Sequence, residues 1–470
     1  MCADGKASLM SAVVDTNSLR KRAIRGGVWS VAGHIVSQGI RLGGNLMTTR
    51  LLVPELFGLM AVANVILIGI EMLSDLGVRQ NIVQSKLGDD PVFLNTAWTI
   101  QILRGLILSC IILAVSGLFY VAGLYKLIPA GTVYADPRLP IIIAVLSITS
   151  LIAGLESTKL ATANRNISVG RITMLEIISQ ALGPALIIAW CYYDRSFWAL
   201  IAGWFAVSMS RMLLSHLILP GVNNRLCWDK ECATEIYHFG KWVFVSSILG
   251  FLLNNGDRLL FGFFLSAREM GIYAIAFMMV SALETLLRKL LSNVSYPALS
   301  EVYRHNSGSF SAYYYKFRLP IDVISLFTVG FVFICGHWII DLLYDERYKD
   351  AGWMLEIMVF TLFFIRYDIA GLCYLVVGKP KLLTLIILIR VIAVYVLVPT
   401  GFILNGMELA LWIVAVNYAL ALPLMFYFNN KHGFFNFLSE IKVLPIFIMG
   451  LLFGLFFIWF LGELKIVFPA

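Results

Sequence analysis

Charge is scarce in this chain: Asp, Glu, Lys and Arg make up 14% of its 470 residues, 60% are hydrophobic, and the mean hydropathy is +0.84. A water-soluble fold could not hide so much apolar surface, so a soluble globular class is excluded. Period-2 alternation is missing, which argues against a β-barrel. Long outer loops are missing too, and the longest candidate, roughly 123–138, is too small to fold as a domain. Histidine is rare, with 6 copies. No histidine cluster, acid pair or nucleophile motif falls at an outer surface, where a membrane polymerase or ligase would hold its acceptor. The 7 cysteines are scattered, mostly within apolar runs, and imply no disulfide framework. The spacing of Cys227, Cys232 and His238 fits no closed zinc site.

What the chain has in abundance is apolar runs long enough for the roughly 30 Å hydrocarbon layer. Thirteen can be read, at about 28–50, 57–79, 94–123, 139–162, 170–192, 196–218, 241–264, 270–297, 319–343, 351–377, 380–400, 404–428 and 441–461. Their length and short connections predict an all-α polytopic membrane protein. With the N-terminus cytoplasmic, 21 Lys and Arg fall on inner segments and 8 on outer ones, which sets that orientation. The net charge of +8 is then mostly anchoring against anionic lipid, and nucleic-acid binding is not expected.

A repeat organises these runs. The stretch 43–71, GGNLMTTRLLVPELFGLMAVANVILIGIE, has an echo 213 residues later at 256–284, GDRLLFGFFLSAREMGIYAIAFMMVSALE, with 7 identities in 29 aligned positions. Gly43/Gly256, Gly58/Gly271 and Glu71/Glu284 are among them. The expected organisation is two six-helix lobes related as a repeat, 28–220 and 241–428. A cytoplasmic N-terminal segment 1–27, a cytoplasmic linker 221–240, and a C-terminal segment 429–470 with an additional helix complete the chain. The thirteenth run places the C-terminus outside.

Ionisable side chains at mid-bilayer cost about 2.5–3.5 kcal/mol, so they normally face a wet cavity or a partner. Helical rise places Arg41, Arg258, Arg366 and Arg390 deep, with Arg104 shallower. The deep acids are Glu71, Asp257, Glu284, Asp368 and Glu176. In the repeat, Arg258 falls opposite Asn45, one turn from Arg41. A single deep charge can be an internal ion pair, as Glu284 and Arg288 at i, i+4 could be. Together the arginines, with Asn45, suggest a central cationic cavity, whose guanidinium forks suit phosphate or pyrophosphate.

Several stretches carry a resemblance. TRLLVPELFGLMA, SDLGVRQNIVQ, LNTAWTIQILRG, WALIAG, GDRLLFGFFLSAREMGIYAIA, YPALS and GKPK resemble the polysaccharide transporter family of Wzx-type oligosaccharide flippases. That family belongs to the superfamily that also holds the MATE exporters and the lipid II flippases. The resemblance implies an inner-membrane protein, not an enzyme, that moves undecaprenyl-pyrophosphate-linked oligosaccharide to the periplasmic leaflet for exopolysaccharide, capsule or O-antigen assembly. It implies rocking lobes, no bound cofactor, a proton or sodium gradient as driving force, and a polysaccharide polymerase and chain-length regulator as partners. On this reading Glu71, Asp257, Glu284 and Asp368 are candidates for ion coupling or gating. A MATE-like small-molecule exporter is the nearer rival, but cationic ligands would call for a cavity acidic on balance. Relatives have twelve or fourteen spans, and the thirteen read here match neither.

Overall fold

The computed structural model describes residues 16–72, 74, 77–166, 168–291, 295–305 and 310–467. Residues 1–15, and 306–309 of the expected inner loop 301–317, lie outside them. The described residues form helices joined by turns and loops and contain no strand. In the N-terminal half, α1 (Thr16–Leu51) and α2 (Pro54–Met72) meet at a corner where Pro54, lacking an N–H, begins the second helix. They are followed by α3 (Val78–Gln84), α4 (Pro91–Leu124), α5 (Arg138–Gly154), α6 (Lys159–Arg165), α7 (Val169–Cys191) and α8 (Phe197–Leu217).

The C-terminal half opens with α9 (Lys230–Phe261) and α10 (Ala267–Leu290), whose start is fixed by a capping box of Ser266 and Glu269. Next come α11 (Tyr296–His305), α12 (Phe310–Leu343), α13 (Ala351–Met358), α14 (Phe360–Ile365), α15 (Asp368–Val376) and α16 (Pro380–Val416). α16 breaks at Asn405 and Gly406, where Gly406 takes a φ of 68° that only glycine adopts easily. The chain reverses there, so that Gly401 packs against Ala410 and Ile413 and two of the expected spans form a hairpin. The chain ends with α17 (Leu422–Lys431), α18 (Phe437–Ile441) and α19 (Pro445–Val467).

By length and composition, 9 helical segments among the described residues can cross a membrane, or 10 when the bent pair α5 and α6 counts as one span. The hairpin of α16 and α17 counts once in that set. The remaining difference from thirteen lies in α1 and α9, 36 and 32 residues long. These two helices carry the polar residues Gln38, Arg41 and Asn45, and Asn254, Asn255, Asp257 and Arg258, which dilute their hydropathy. The multi-pass all-α class stands.

The halves are fastened at the α1/α2 and α9/α10 corners. Gly58 of α2 and Gly271 of α10 meet backbone to backbone. Two 3-10 turns, Val133–Ala135 and Glu346–Tyr348, stand the same 213 residues apart and each docks on the opposite half. Val133 N–H donates to the Leu265 carbonyl at 2.8 Å, and the Tyr134 hydroxyl to the Leu259 carbonyl at 3.0 Å. In return, Arg347 donates to the Thr49 and Leu52 carbonyls at 2.8 and 3.3 Å, covering orphan acceptors at the end of α1. Each turn also holds an Asp-x-Arg hook, in which Arg138 grips Asp136 and Arg347 grips Asp345 through backbone and guanidinium together.

The additional helix α19 lies against α12. Gly450 and Gly330 allow backbone contact there, each leaving room for a carbonyl of the other helix, Phe327 and Phe447 respectively.

Candidate functional site

Away from the fastened corners, the described residues surround cavities lined by charged side chains, among them two groups. One, of about 470 Å3, is formed mainly by the N-terminal half. Its wall carries Arg41, Arg79, Arg211 and Lys289 against a single carboxylate, Glu176, with His34, Gln38 and Gln180 between them. α1 contributes His34, Gln38 and Arg41 along one stripe, because residues three and four apart share a helix face. Lys289 arrives from α10 of the other half and donates to Nδ1 of His34 at 2.9 Å, so the cavity is built across the interface.

The second group, of about 350 and 310 Å3, lies in the C-terminal half. Its walls carry Arg258, Arg288 and Arg390 against Asp257, Glu284 and Asp368, a balanced set. Arg288 joins two of the acids, donating to Glu284 at 2.7 Å and to Asp368. Arg258 donates to the Asn255 side chain at 2.6 Å, lies 4.0 Å from Asp257, and rests over the Phe277 ring. Asp257 also accepts from the Tyr273 hydroxyl. Arg390 donates to Asn417 at 2.9 Å and stacks on Tyr418. Thr285 lines both the N-terminal cavity and the larger C-terminal one, which makes α10 their shared wall.

Of the residues expected to form one cationic chamber, Arg41, Arg258 and Arg390 thus line cavities, but not the same one. The other three stand elsewhere. Arg104 caps the C-terminal end of α2, donating to the Glu71 carbonyl at 2.7 Å and to Ser74 at 3.0 Å. Asn45 accepts from the Tyr344 hydroxyl at 3.1 Å, on the fastened side. Arg366 is 1% exposed and sits in a buried ionic cluster, 2.8 Å from Glu440 and 3.4 Å from Asp322. Arg318, fully buried, completes that cluster with contacts of 2.6 Å to Glu440 and 3.0 Å to Asp322. Two arginines and two carboxylates neutralise one another, leaving no charge for a ligand.

Among the acids, Glu284 and Asp368 share Arg288, while Glu71 lies between α2 and α5 and accepts from Ser150 at 3.2 Å. Arg79, Arg211 and Lys289 are cavity residues that sequence reasoning passed over. Arg79 and Lys289 fall close to span ends, where positive charge is ordinary, and only the folded chain turns them inward. Arg211 was readable as a charge inside the run 196–218.

The described residues thus form a helical membrane protein whose two halves are fastened to each other and whose cavities are lined by charged side chains. The chain belongs to the polysaccharide biosynthesis protein family, whose model matches residues 47–352. It is 21% identical over 346 residues to the lipopolysaccharide biosynthesis protein WzxC of Escherichia coli (strain K12), covering 73% of this chain and 67% of that one. Among solved structures, the lipid II flippase MurJ in an inward closed conformation superposes with a TM-score of 0.65 at 12% identity, covering 92% of each chain. An inward-facing multidrug resistance MATE family transporter of the MOP superfamily gives 0.55 at 14% identity, covering 92% of this chain and 96% of that one. The protein is therefore a multi-pass helical membrane protein of the polysaccharide biosynthesis protein family, with the fold that these solved structures share.

Proposed function

We propose that this protein flips undecaprenyl-pyrophosphate-linked oligosaccharide from the cytoplasmic to the periplasmic leaflet of the inner membrane, for assembly of a surface polysaccharide. The observation that carries this reading is the cation surplus of the N-terminal cavity, formed at a wall shared by both halves. A pyrophosphate is neutralised there, the polar residues solvate the sugars, and the lipid tail stays in hydrocarbon. The positive-inside bias puts the N-terminus in the cytoplasm and the fastened corners at the periplasmic face. The described arrangement is then a state closed to the periplasm, and transport requires the corners to part. The halves rock about the cavity under a proton or sodium gradient. Asp257, Glu284, Asp368 and Glu71 are the carboxylates available to take the coupling ion or exchange arginine partners. A polymerase and a chain-length regulator would receive the product.

The test is deletion of the gene in its host, with analysis of membrane lipids. The expected result is accumulation of a lipid-linked oligosaccharide and loss of the surface polymer. Intact polysaccharide together with retention of a cationic drug would assign the protein as an exporter instead.

A further inference from the structure

The span formed by α5 and α6 is broken, with a bend of 57°. Backbone freed at membrane depth is tolerated only when protein satisfies it or it borders a cavity. Both conditions hold here. The Leu155 carbonyl accepts from His216 at 2.9 Å and from Trp98 at 3.4 Å, and the Ser157 N–H donates to Ser215 at 2.9 Å. Beyond the break, Leu160, Ala161 and Asn164 of α6 line the cation-rich cavity. At the break itself stands Glu156, with its side chain only 8% exposed. One of its oxygens takes Arg79 and the other takes Arg211 at 3.1 Å. Both arginines line that same cavity, and Arg79 is half exposed within it.

We infer that Glu156 is a resident counter-anion, displaced when the diphosphate of a lipid-linked substrate enters between Arg79 and Arg211. The inference rests on the flippase reading and names where in the protein the headgroup binds. A carboxylate spanning two guanidinium forks presents the pattern of acceptors that a diphosphate presents, with less charge. The two arginines exceed Glu156 by one positive charge, and a doubly charged diphosphate cancels both. Exchange is favoured by that remaining charge and by bidentate geometry at each phosphate. Because Glu156 stands in the break, its release frees α6 from Arg79 of α3 and Arg211 of α8, so that headgroup binding reaches the bent span mechanically.

The experiment measures binding of two probes, inorganic pyrophosphate and farnesyl diphosphate, to the purified full-length protein. Glu156→Gln removes the competitor, so its affinity for both probes should rise about tenfold. Arg79→Gln, at a half-exposed position, should lower affinity for both. Should Glu156→Gln fail to fold, Glu156→Asp keeps the charge on a shorter arm that cannot span both arginines, and should strengthen binding in the same direction. Unchanged or weaker binding in the Glu156 variants would overturn displacement, and a gain confined to inorganic pyrophosphate would overturn the lipid-linked assignment. If the host exports polysaccharide normally without the gene, the flippase reading fails while the binding result stands. If export needs the gene but Glu156 variants bind as wild type, only the displacement fails.

Discussion

Gly58 and Gly271 cross so closely that neither could carry a side chain: a Cβ on Gly58 would lie 1.9 Å from the Ala267 carbonyl oxygen, and one on Gly271 would lie 1.9 Å from that of Pro54. The contacts are reciprocal, since Pro54 and Ala267 open their helices four residues before the two glycines. Leucine at either position would overpack the crossing by about 1–3 kcal/mol or more. Gly58→Leu and Gly271→Leu are each expected to cut polysaccharide export at least tenfold in a complementation assay. Normal export in both would deprive the crossing of mechanical meaning.

Arg347 is the polar half of the same fastening. Its Nη2 donates to the Thr49 carbonyl at 2.8 Å. Removing a charge-assisted contact at this partly exposed site costs about 1 kcal/mol. Arg347→Ala should therefore raise several-fold the rate at which a water-soluble maleimide reaches a cysteine placed at Thr49. Equal rates would show that the contact does not hold the face shut.

Acid should weaken the hook without abolishing the fastening. Hydrogen bonds from Arg347 hold the Asp345 carboxyl below its ordinary value of 3.8. A depressed carboxylate stabilises the folded form above its unfolded pKa and loses that contribution as pH falls through the folded value. Maleimide access at Thr49→Cys, taken as the labelling rate relative to that of a free thiol at the same pH, should thus be flat from about pH 5 to 8 and rise only below about pH 3.8. A transition near pH 6 would implicate another group.

The buried cluster and the cavity arginines should separate by abundance. Glu440→Gln or Arg366→Ala leaves charge stranded in the interior, at a cost of about 3–5 kcal/mol, and should deplete the protein from the membrane. Arg41→Ala, whose side chain makes no ion pair among the described residues, should leave abundance near normal while export falls. Lysine at Arg41 should restore export in part, keeping charge and losing the fork. If Arg41→Ala vanished from membranes on an immunoblot while Arg366→Ala persisted, the two roles would be reversed.

Composition and run length made the membrane class legible, and the deep charges marked Arg41, Arg258 and Arg390 as cavity residues. Depth along a helix does not say which way a side chain points, so Arg366 read as a chamber residue although it faces Glu440. Two members of its cluster were hidden for a local reason. Arg318 stands just before the apolar run at 319–343 and Glu440 just before the one at 441–461, so both counted as loop charges. Glu156 was readable as a charge inside the run 139–162, but a single continuous span concealed the break at which it stands.

The close seating of α19 on α12 makes the last helix a passenger of the C-terminal half. Gly450 and Gly330 bring the two backbones together, Cys335 reaches the Gly454 carbonyl, and Arg318 grips Glu440 just ahead of the helix. Its far side, with Leu452, Phe456 and Trp459, is exposed. A dye or spin label fixed at Gly462 would therefore serve as a pointer, following any tilt of that half under the proposed rocking without touching the cavities.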